Sequence, residues 1–239
     1  MYISKLPNGT LCAEFNDNTI VEGMLSIKET RNTSGIRRLY AKYDEEPNPS
    51  QIVNPELIDV IQRADAVVFG PTSLFSGIIA SLLPPDVSTA LRNTRALKIF
   101  ICPVMTEPGK TDNFSVSDHV THVEQHGNFN LDYVILNTKR ISYALAEKYY
   151  DYGAEQVLLN LDEFEHTYLK VDFSALLGEI RQLNHAVLID DDLINASVQK
   201  ILGQSDEKLV VRHDPDKLKA VFEKIFDHIE YRRNLTPSS

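Results

Sequence analysis

Apolar residues along the chain keep two rhythms in alternation. Ala66 to Phe69 is an unbroken apolar run, which predicts a strand covered on both faces. Beyond Gly70-Pro71, the residues Leu74, Phe75, Ile78, Ile79, Leu82 and Leu83 recur at helical spacing until Pro84-Pro85 stops them. The same pairing repeats downstream. Leu97 to Cys102 predicts a buried strand, and Ser115 opens a helix with Asp118 placed to complete a capping box. Tyr133 to Leu136 predicts the next strand, Ser142 to Tyr150 a helix with Gly153 as its C-cap, and Gln156 to Leu159 a short strand. Phe164 to Phe173 reads as strand and Ala175 to Leu183 as helix. Ala186 to Ile189 and Lys208 to Val211 read as strands, and Asp214-Pro215 opens a terminal helix carrying Leu218, Val221, Ile225 and Ile229. Strands alternating with helices predict an α/β fold with a mostly parallel sheet.

The first 53 residues follow a different pattern. Thr10 to Phe15 and Thr19 to Ile27 flank the turn-forming Asn16-Asp17-Asn18, predicting a β-hairpin, with Arg38 to Tyr43 a third strand. A polar, proline-rich connection, 44–49, leads to a helix over Pro55 to Arg63 with proline at its first position. The chain thus reads as a single domain, 1–239, with a β-rich entry (1–53), an α/β body (54–233) and a frayed tail (234–239). No internal repeat stands out. Neither G-x-G-x-x-G nor G-x-x-x-x-G-K occurs, so the usual first phosphate loop of a nucleotide-binding sheet is not in the sequence.

Composition narrows the function classes. A formal net charge of −10 argues against a nucleic-acid backbone as partner. Two cysteines, Cys12 and Cys102, in unlike contexts argue against a disulfide framework and for a reducing compartment. The opening residues lack a signal-peptide core, and no run reaches the ~20 apolar residues of a membrane span. The expected location is the cytoplasm.

Candidate chemistry gathers at the ends of predicted strands. Gly70, Pro71, Thr72 and Ser73 sit where a strand ends and a helix begins, a place that suits an anion through free N–H groups and the macrodipole. Small residues there also serve close packing alone. The loop after the next strand is dense in hydrogen-bonding groups, namely Thr106, Glu107, Lys110, Thr111, Asp112 and Asp118, and falls on the same rim; its other reading is a solvated surface loop. His119, His122 and His126 share a narrow helical arc, open to reading as a metal ligand set without an identifiable fourth member or as a half-buried helix edge. Arg212 is suited to pair a phosphate, or to form a surface ion pair with Asp214 or Asp216. Tyr149 and Tyr150 are suited to stack on a base or sugar, or to pack in a core. No Ser-His-Asp or Cys-His nucleophile arrangement stands out, and Cys102 reads as a core residue.

These same residues resemble a known family. Gly70 to Ile78 looks like the G-P-G-S-L-Y-T-S-I motif of the YvcK-type gluconeogenesis factors, relatives of the 2-phospho-L-lactate transferases in the CofD-like superfamily. Ile101 to Val120 is similar to the family's I-C-N-L-M-T-Q-P-G-E-T-D-G-Y-T-x-x-D-H-V, and Asp132-Tyr133-Val134, Tyr149 before Gly153-Ala154, and Arg212-His213-Asp214-Pro215 fit as well. The resemblance implies a Rossmann-like three-layer α/β/α fold. It implies a UDP-sugar ligand, UDP-N-acetylglucosamine, and a regulatory, non-catalytic role linking carbon metabolism to cell-wall precursor supply and cell shape. The transferase branch implies instead a phospholactyl transfer, with a divalent metal at carboxylates such as Asp112 or Asp118. By resemblance, Tyr149 and Arg212 match positions that contact the sugar nucleotide. Gly70, Pro71, Thr72 and Ser73, with Thr106, Thr111, Asp112, Asp118 and His119 of the following loop, match the ligand-facing rim. Two departures stand inside the motifs: Thr72 replaces a glycine and Pro103 an asparagine. Family members open with a strand and a G-G-G-T-G loop, and this sequence matches the later half to two-thirds of such a protein. A sheet incomplete at its N-terminal side is therefore expected. With it comes a truncated product, a partner chain that supplies the loop, or a form that serves as a non-binding interaction module. Apolar faces left by that gap would be covered in a homo-oligomer.

Overall fold

In the computed structural model, residues 9–43, 55–159, 181–183, 186–200 and 207–235 are described. The chain begins as a small antiparallel sheet. Strand β1 (Gly9–Phe15) pairs with β2 (Ile20–Glu22) across the Asn16-Asp17-Asn18 turn and with β3 (Ile36–Tyr43) on its other side. The second strand is shorter than its apolar pattern predicts. Gly23 adopts φ +91° and gives its N–H to the Leu11 carbonyl, and a short helix, α1 (Met24–Glu29), follows with Ile27 as its buried residue. The hydrophobic tail of the expected hairpin is thus the inner face of a helix.

The body is a five-stranded sheet in the order β4-β5-β6-β8-β7. Strands β4 (Ala66–Phe69), β5 (Leu97–Ile101), β6 (Tyr133–Asn137) and β8 (Ala186–Asp191) run parallel, and β7 (Arg181–Leu183) is antiparallel at the far edge. β7 occupies the end of the stretch 175–183 read as helix; the rest of that stretch and Phe164 to Phe173 lie outside the described residues. Helices α2 (Pro55–Arg63), α3 (Leu74–Leu82), α4 (Pro85–Asn93) and α5 (Val116–Gly127) cover one face, against Phe69, Phe100, Val134 and Leu136. The terminal helix α7 (Pro215–Leu235) covers the other, setting Val221 and Ile225 against Ile99, Ile101, Tyr133 and Ile135. Alternate residues of each strand therefore feed opposite layers, as strands buried on both faces require. Helix α6 (Tyr143–Asp151) follows β6, and β9 (Ile194–Lys200) and β10 (Glu207–His213) form an antiparallel hairpin before α7.

Three expectations are corrected. Strand β4 is not covered on both faces: it pairs only with β5 among the described strands, and Val68 is 42% exposed. Helix α3 begins with π-helical turns, Leu74–Ile79, before one α turn, Ala80–Leu82; Pro84-Pro85 stops it but starts α4 at once. The strand over Gln156 to Leu159 is a single bridge between Gln156 and Met105. Among the described residues no single helix is long and apolar enough to cross a membrane.

Candidate functional site

A cleft of about 970 Å³ opens at the carboxyl ends of β4 and β5. Parallel strands bring their carboxyl ends to one rim, and the loops that leave them form the walls. Four segments contribute: Pro71, Thr72 and Ser73 after β4; the run 103–108 after β5; one side of α6 with Ala154 beyond it; and the last turn of β10, Val210 to His213.

The first wall depends on one glycine. Gly70 has φ +101°, and a Cβ there would lie 2.9 Å from the Ile101 carbonyl of the neighbouring strand end. That close approach turns the chain from strand to helix and sets Thr72 and Ser73 at the cleft. Thr72, which stands where the family motif has glycine, folds its side chain toward Gly77: a Cβ on Gly77 would meet the Thr72 Cγ2 at 2.6 Å. The added bulk is absorbed by the helix. The Ser73 hydroxyl accepts from that of Ser76 at 2.7 Å and makes no capping bond.

The loop after β5 is held from both ends. The Thr106 N–H donates to the Glu155 carbonyl at 2.7 Å, and its buried hydroxyl accepts from the Glu155 N–H at 2.8 Å. Thr111, fully buried, accepts from the Glu107 N–H at 2.7 Å. Gly109, at φ +76°, packs so closely on the N-terminal segment that a Cβ would lie 2.6 Å from the Arg31 Cα. Asp112 is half-buried, with one carboxylate oxygen lacking a partner among the described residues. Ser115 and Asp118 form the expected capping box on α5, the Ser115 N–H donating to Asp118 at 2.8 Å. Gly70, Thr111, Asp112, Asp118 and His119 are not among the residues that line the cleft.

The histidine arc takes the helix-edge form. His119 is buried, donating through Nδ1 to the Ser115 carbonyl at 2.7 Å, with its Nε2 unpartnered beside the Phe114 ring. His122 stacks between Phe114 and His126, centroids 5.1 and 5.7 Å away, and Phe75 meets it edge-on at 5.2 Å. His126 bonds the His122 carbonyl through Nδ1, and its Nε2 accepts the Leu39 N–H of β3 at 3.1 Å. A backbone donor on Nε2 requires the neutral ring. Burial lowers all three pKa values, that of His122 to about 4, with the His126 charge as a second cause there. Among the described residues no group of three or more His, Cys, Asp or Glu converges on a metal position.

The remaining walls bring Tyr149 and Arg212 together. The Tyr149 hydroxyl accepts from the Val211 N–H at 2.8 Å, which pins the end of β10 to α6. Arg212 is exposed, donates weakly to the Val211 carbonyl at 3.5 Å, and forms no ion pair with Asp214. The Asp214 carboxylate instead caps α7, accepting from the N–H groups of Asp216 and Lys217 at 2.9 and 3.2 Å. Of the residues singled out in sequence, Pro71, Thr72, Ser73, Thr106, Tyr149 and Arg212 meet in the cleft. Leu145, Lys148 and Tyr152 join them unforeseen. Their signal was the helical spacing from Leu145 through Lys148 and Tyr149 to Tyr152, which puts them on one side of α6. His213 also lines the cleft; it lay inside a motif recognised for Arg212 alone.

The family model described as 2-phospho-L-lactate transferase CofD matches residues 6–177. A putative gluconeogenesis factor of Clostridium acetobutylicum is 37% identical over 209 residues, which cover 85% of this chain and 44% of that protein. The gluconeogenesis factor of Bacillus subtilis is 34% identical over 163 residues, 67% of this chain and 49% of that protein. The chain thus spans about half the length of these relatives. A crystal structure of a member of the UPF0052 family from Bacillus halodurans superposes with a TM-score of 0.66 at 27% identity, covering 89% of this chain and 58% of that one. The family model matches well over half of the chain, and the chain belongs to the CofD family.

Proposed function

We propose that the cleft binds a nucleotide sugar of the UDP-N-acetylglucosamine type and that the chain acts as a regulator without catalysis of its own. In this reading it links carbon metabolism to cell-wall precursor supply and cell shape, in the manner of a gluconeogenesis factor. The observation that carries it is the meeting of Thr72 and Ser73, the Thr106 loop, Tyr149 and Arg212 around one volume at the carboxyl rim of a parallel sheet. Each part suits a piece of such a ligand. Arg212 is an exposed, planar cation with its fork of donors uncommitted to any described carboxylate, fit for a pyrophosphate. Tyr149 and Tyr152 offer aromatic surface for a base or sugar ring.

Calorimetric titration of the chain with UDP-N-acetylglucosamine tests the reading. Saturable binding is expected, weakened about tenfold or more by Arg212→Ala. No heat at millimolar ligand would refute it for this chain. A second reading, phospholactyl transfer, is favoured by the family model's description. Of the two carboxylates it calls on, Asp118 is spent on Ser115, while Asp112 keeps a free oxygen. Turnover of a nucleotide-diphospho-lactate donor only in the presence of a divalent cation would replace the first reading with this one.

A further inference from the structure

Gly77 lies in the π-helical start of α3 and does not line the cleft, but it meets a residue that does. Its backbone asks for no glycine. It is not among the residues of positive φ, and a helix interior favours alanine at such a place. Space is what the missing side chain supplies. A Cβ there would lie 2.6 Å from the Thr72 Cγ2, 2.7 Å from its Oγ1 and 3.2 Å from its Cβ. Rotation of Thr72 about χ1 offers no escape. Two of its three staggered positions point at Gly77, and a threonine fills two of the three with heavy atoms, so one is always in the way. Backbone must then move, and burial decides which side. Helix α3 is anchored by Leu74, Phe75, Ile78 and Ile79, none more than 3% exposed. The N–H groups of Gly77 and Ile78 donate to the Ser73 carbonyl at 3.1 and 3.0 Å. Pro71 and Thr72, by contrast, are exposed. A close-packed helix resists displacement, so the turn yields, and the turn is the first wall of the cleft.

We propose that Gly77 is a positioning residue for the ligand: the empty place at its Cβ receives the Thr72 side chain and so sets where the first wall of the cleft meets the bound nucleotide sugar. The assignment rests on the nucleotide-sugar reading of the cleft. Two glycines then shape this wall by different means. Gly70 does so through its backbone, at φ +101°, and Gly77 through the room it leaves. Gly77 and Thr72 act as one unit. A methyl group on the first is harmful only while the second carries its side chain, and the harm reaches the cleft as well as the fold.

The test is a double-mutant cycle on the whole chain, with the unmodified protein, Gly77→Ala, Thr72→Gly and the double variant. Each is melted, and each is titrated with UDP-N-acetylglucosamine by calorimetry well below its melting temperature. Gly77→Ala alone should lower the melting temperature and weaken binding about tenfold. In the Thr72→Gly background the same substitution should change affinity by less than about twofold. There it should raise the melting temperature by about 2–4 °C, because only helix propensity is left to act. A glycine that serves the fold alone would lower the melting temperature of Gly77→Ala and leave the affinity of the folded protein as it was; that result overturns the assignment. An equal loss of affinity in both backgrounds also overturns it, since Gly77 would then act apart from Thr72. If Gly77→Ala does not fold, the double variant decides: it must fold and bind as Thr72→Gly does, and failure in either overturns the pairing. If Thr72→Gly itself binds nothing, weakened binding by Gly77→Ala together with a melting shift that changes sign between backgrounds supports the assignment, and any other result overturns it. An unmodified protein blind to UDP-N-acetylglucosamine overturns the nucleotide-sugar reading and the role of Gly77 with it.

Discussion

Two regions of the molecule hold neutral imidazoles with orphaned ring nitrogens, and they are built for opposite ends. Along α5 the rings of His119, His122 and His126 are packed among Phe75, Phe114 and the β3 backbone. In the cleft His213 is one of the lining residues, beside the exposed Arg212. The Nε2 atoms of His119 and His213 are both buried without a partner among the described residues, the first beside an aromatic ring and the second in a residue that lines the cleft. The seam on α5 joins the small N-terminal sheet to the body, and the cleft is the candidate site.

The largest break in this contrast is Phe75→Ala. Phe75 is 1% exposed and meets Phe114, His122 and His126. Truncation of such a side chain costs about 3–5 kcal/mol through lost transfer energy and the cavity left behind. Thermal unfolding should fall by about 10 °C, at roughly 2–4 °C per kcal/mol for a chain of this size. A loss of under about 1 kcal/mol would mean that the seam is not a joint at all.

Next comes pH. The seam histidines have folded pKa values below their unfolded ones, so the unfolded chain binds more protons as pH drops. Their neutral packing is fully present above pH 6.5 and is lost as pH falls toward about 4, the value for His122. Discounted for solvent at its half-buried ring, His122 contributes on the order of 1 kcal/mol of that loss between pH 7 and 5. Thermal melts over this range should show falling stability that His126→Leu flattens in part. An unchanged melting temperature from pH 7 to 5 would contradict neutral, packed rings. Cleft substitutions such as Arg212→Ala, away from the seam, should leave this slope alone.

How much of this was legible in the sequence follows from range. Local signals carried through: the Ser115–Asp118 capping box, Gly153 beyond α6 at φ +77°, the parallel strands and the terminal helix at Asp214-Pro215. What depended on distant partners did not. Val68 reads as core because its neighbours are apolar, yet its exposure is set by which strand lies beside β4. The helix at Met24 followed an apolar alternation that looked like strand until Gly23 turned it. In the site, Tyr149 and Arg212 were visible as residue types, but their meeting depends on a bond between α6 and β10. Residues such as Thr111 carry the same chemistry in sequence as Thr106 and lie buried behind the rim, spent on their own loop.

That bond gives the finest test of the contrast, because it is a structural contact inside the site. Tyr149→Phe keeps the ring and removes only the acceptor for the Val211 N–H, an amide that is 2% exposed as a residue and has no bulk water to turn to. The cost in stability should be about 1 kcal/mol. Arg212 follows Val211 directly, so affinity for UDP-N-acetylglucosamine should fall roughly threefold, less than for loss of the cation itself. Melting and titration on the same variant decide between two uses of one hydroxyl. A lower melting temperature with a slight loss of affinity means that Tyr149 acts by holding the strand. An unchanged melting temperature with a tenfold loss of affinity would mean that the hydroxyl is given to the ligand, and the wall of the cleft would then owe its shape to packing among Val104, Leu145 and Val211 instead.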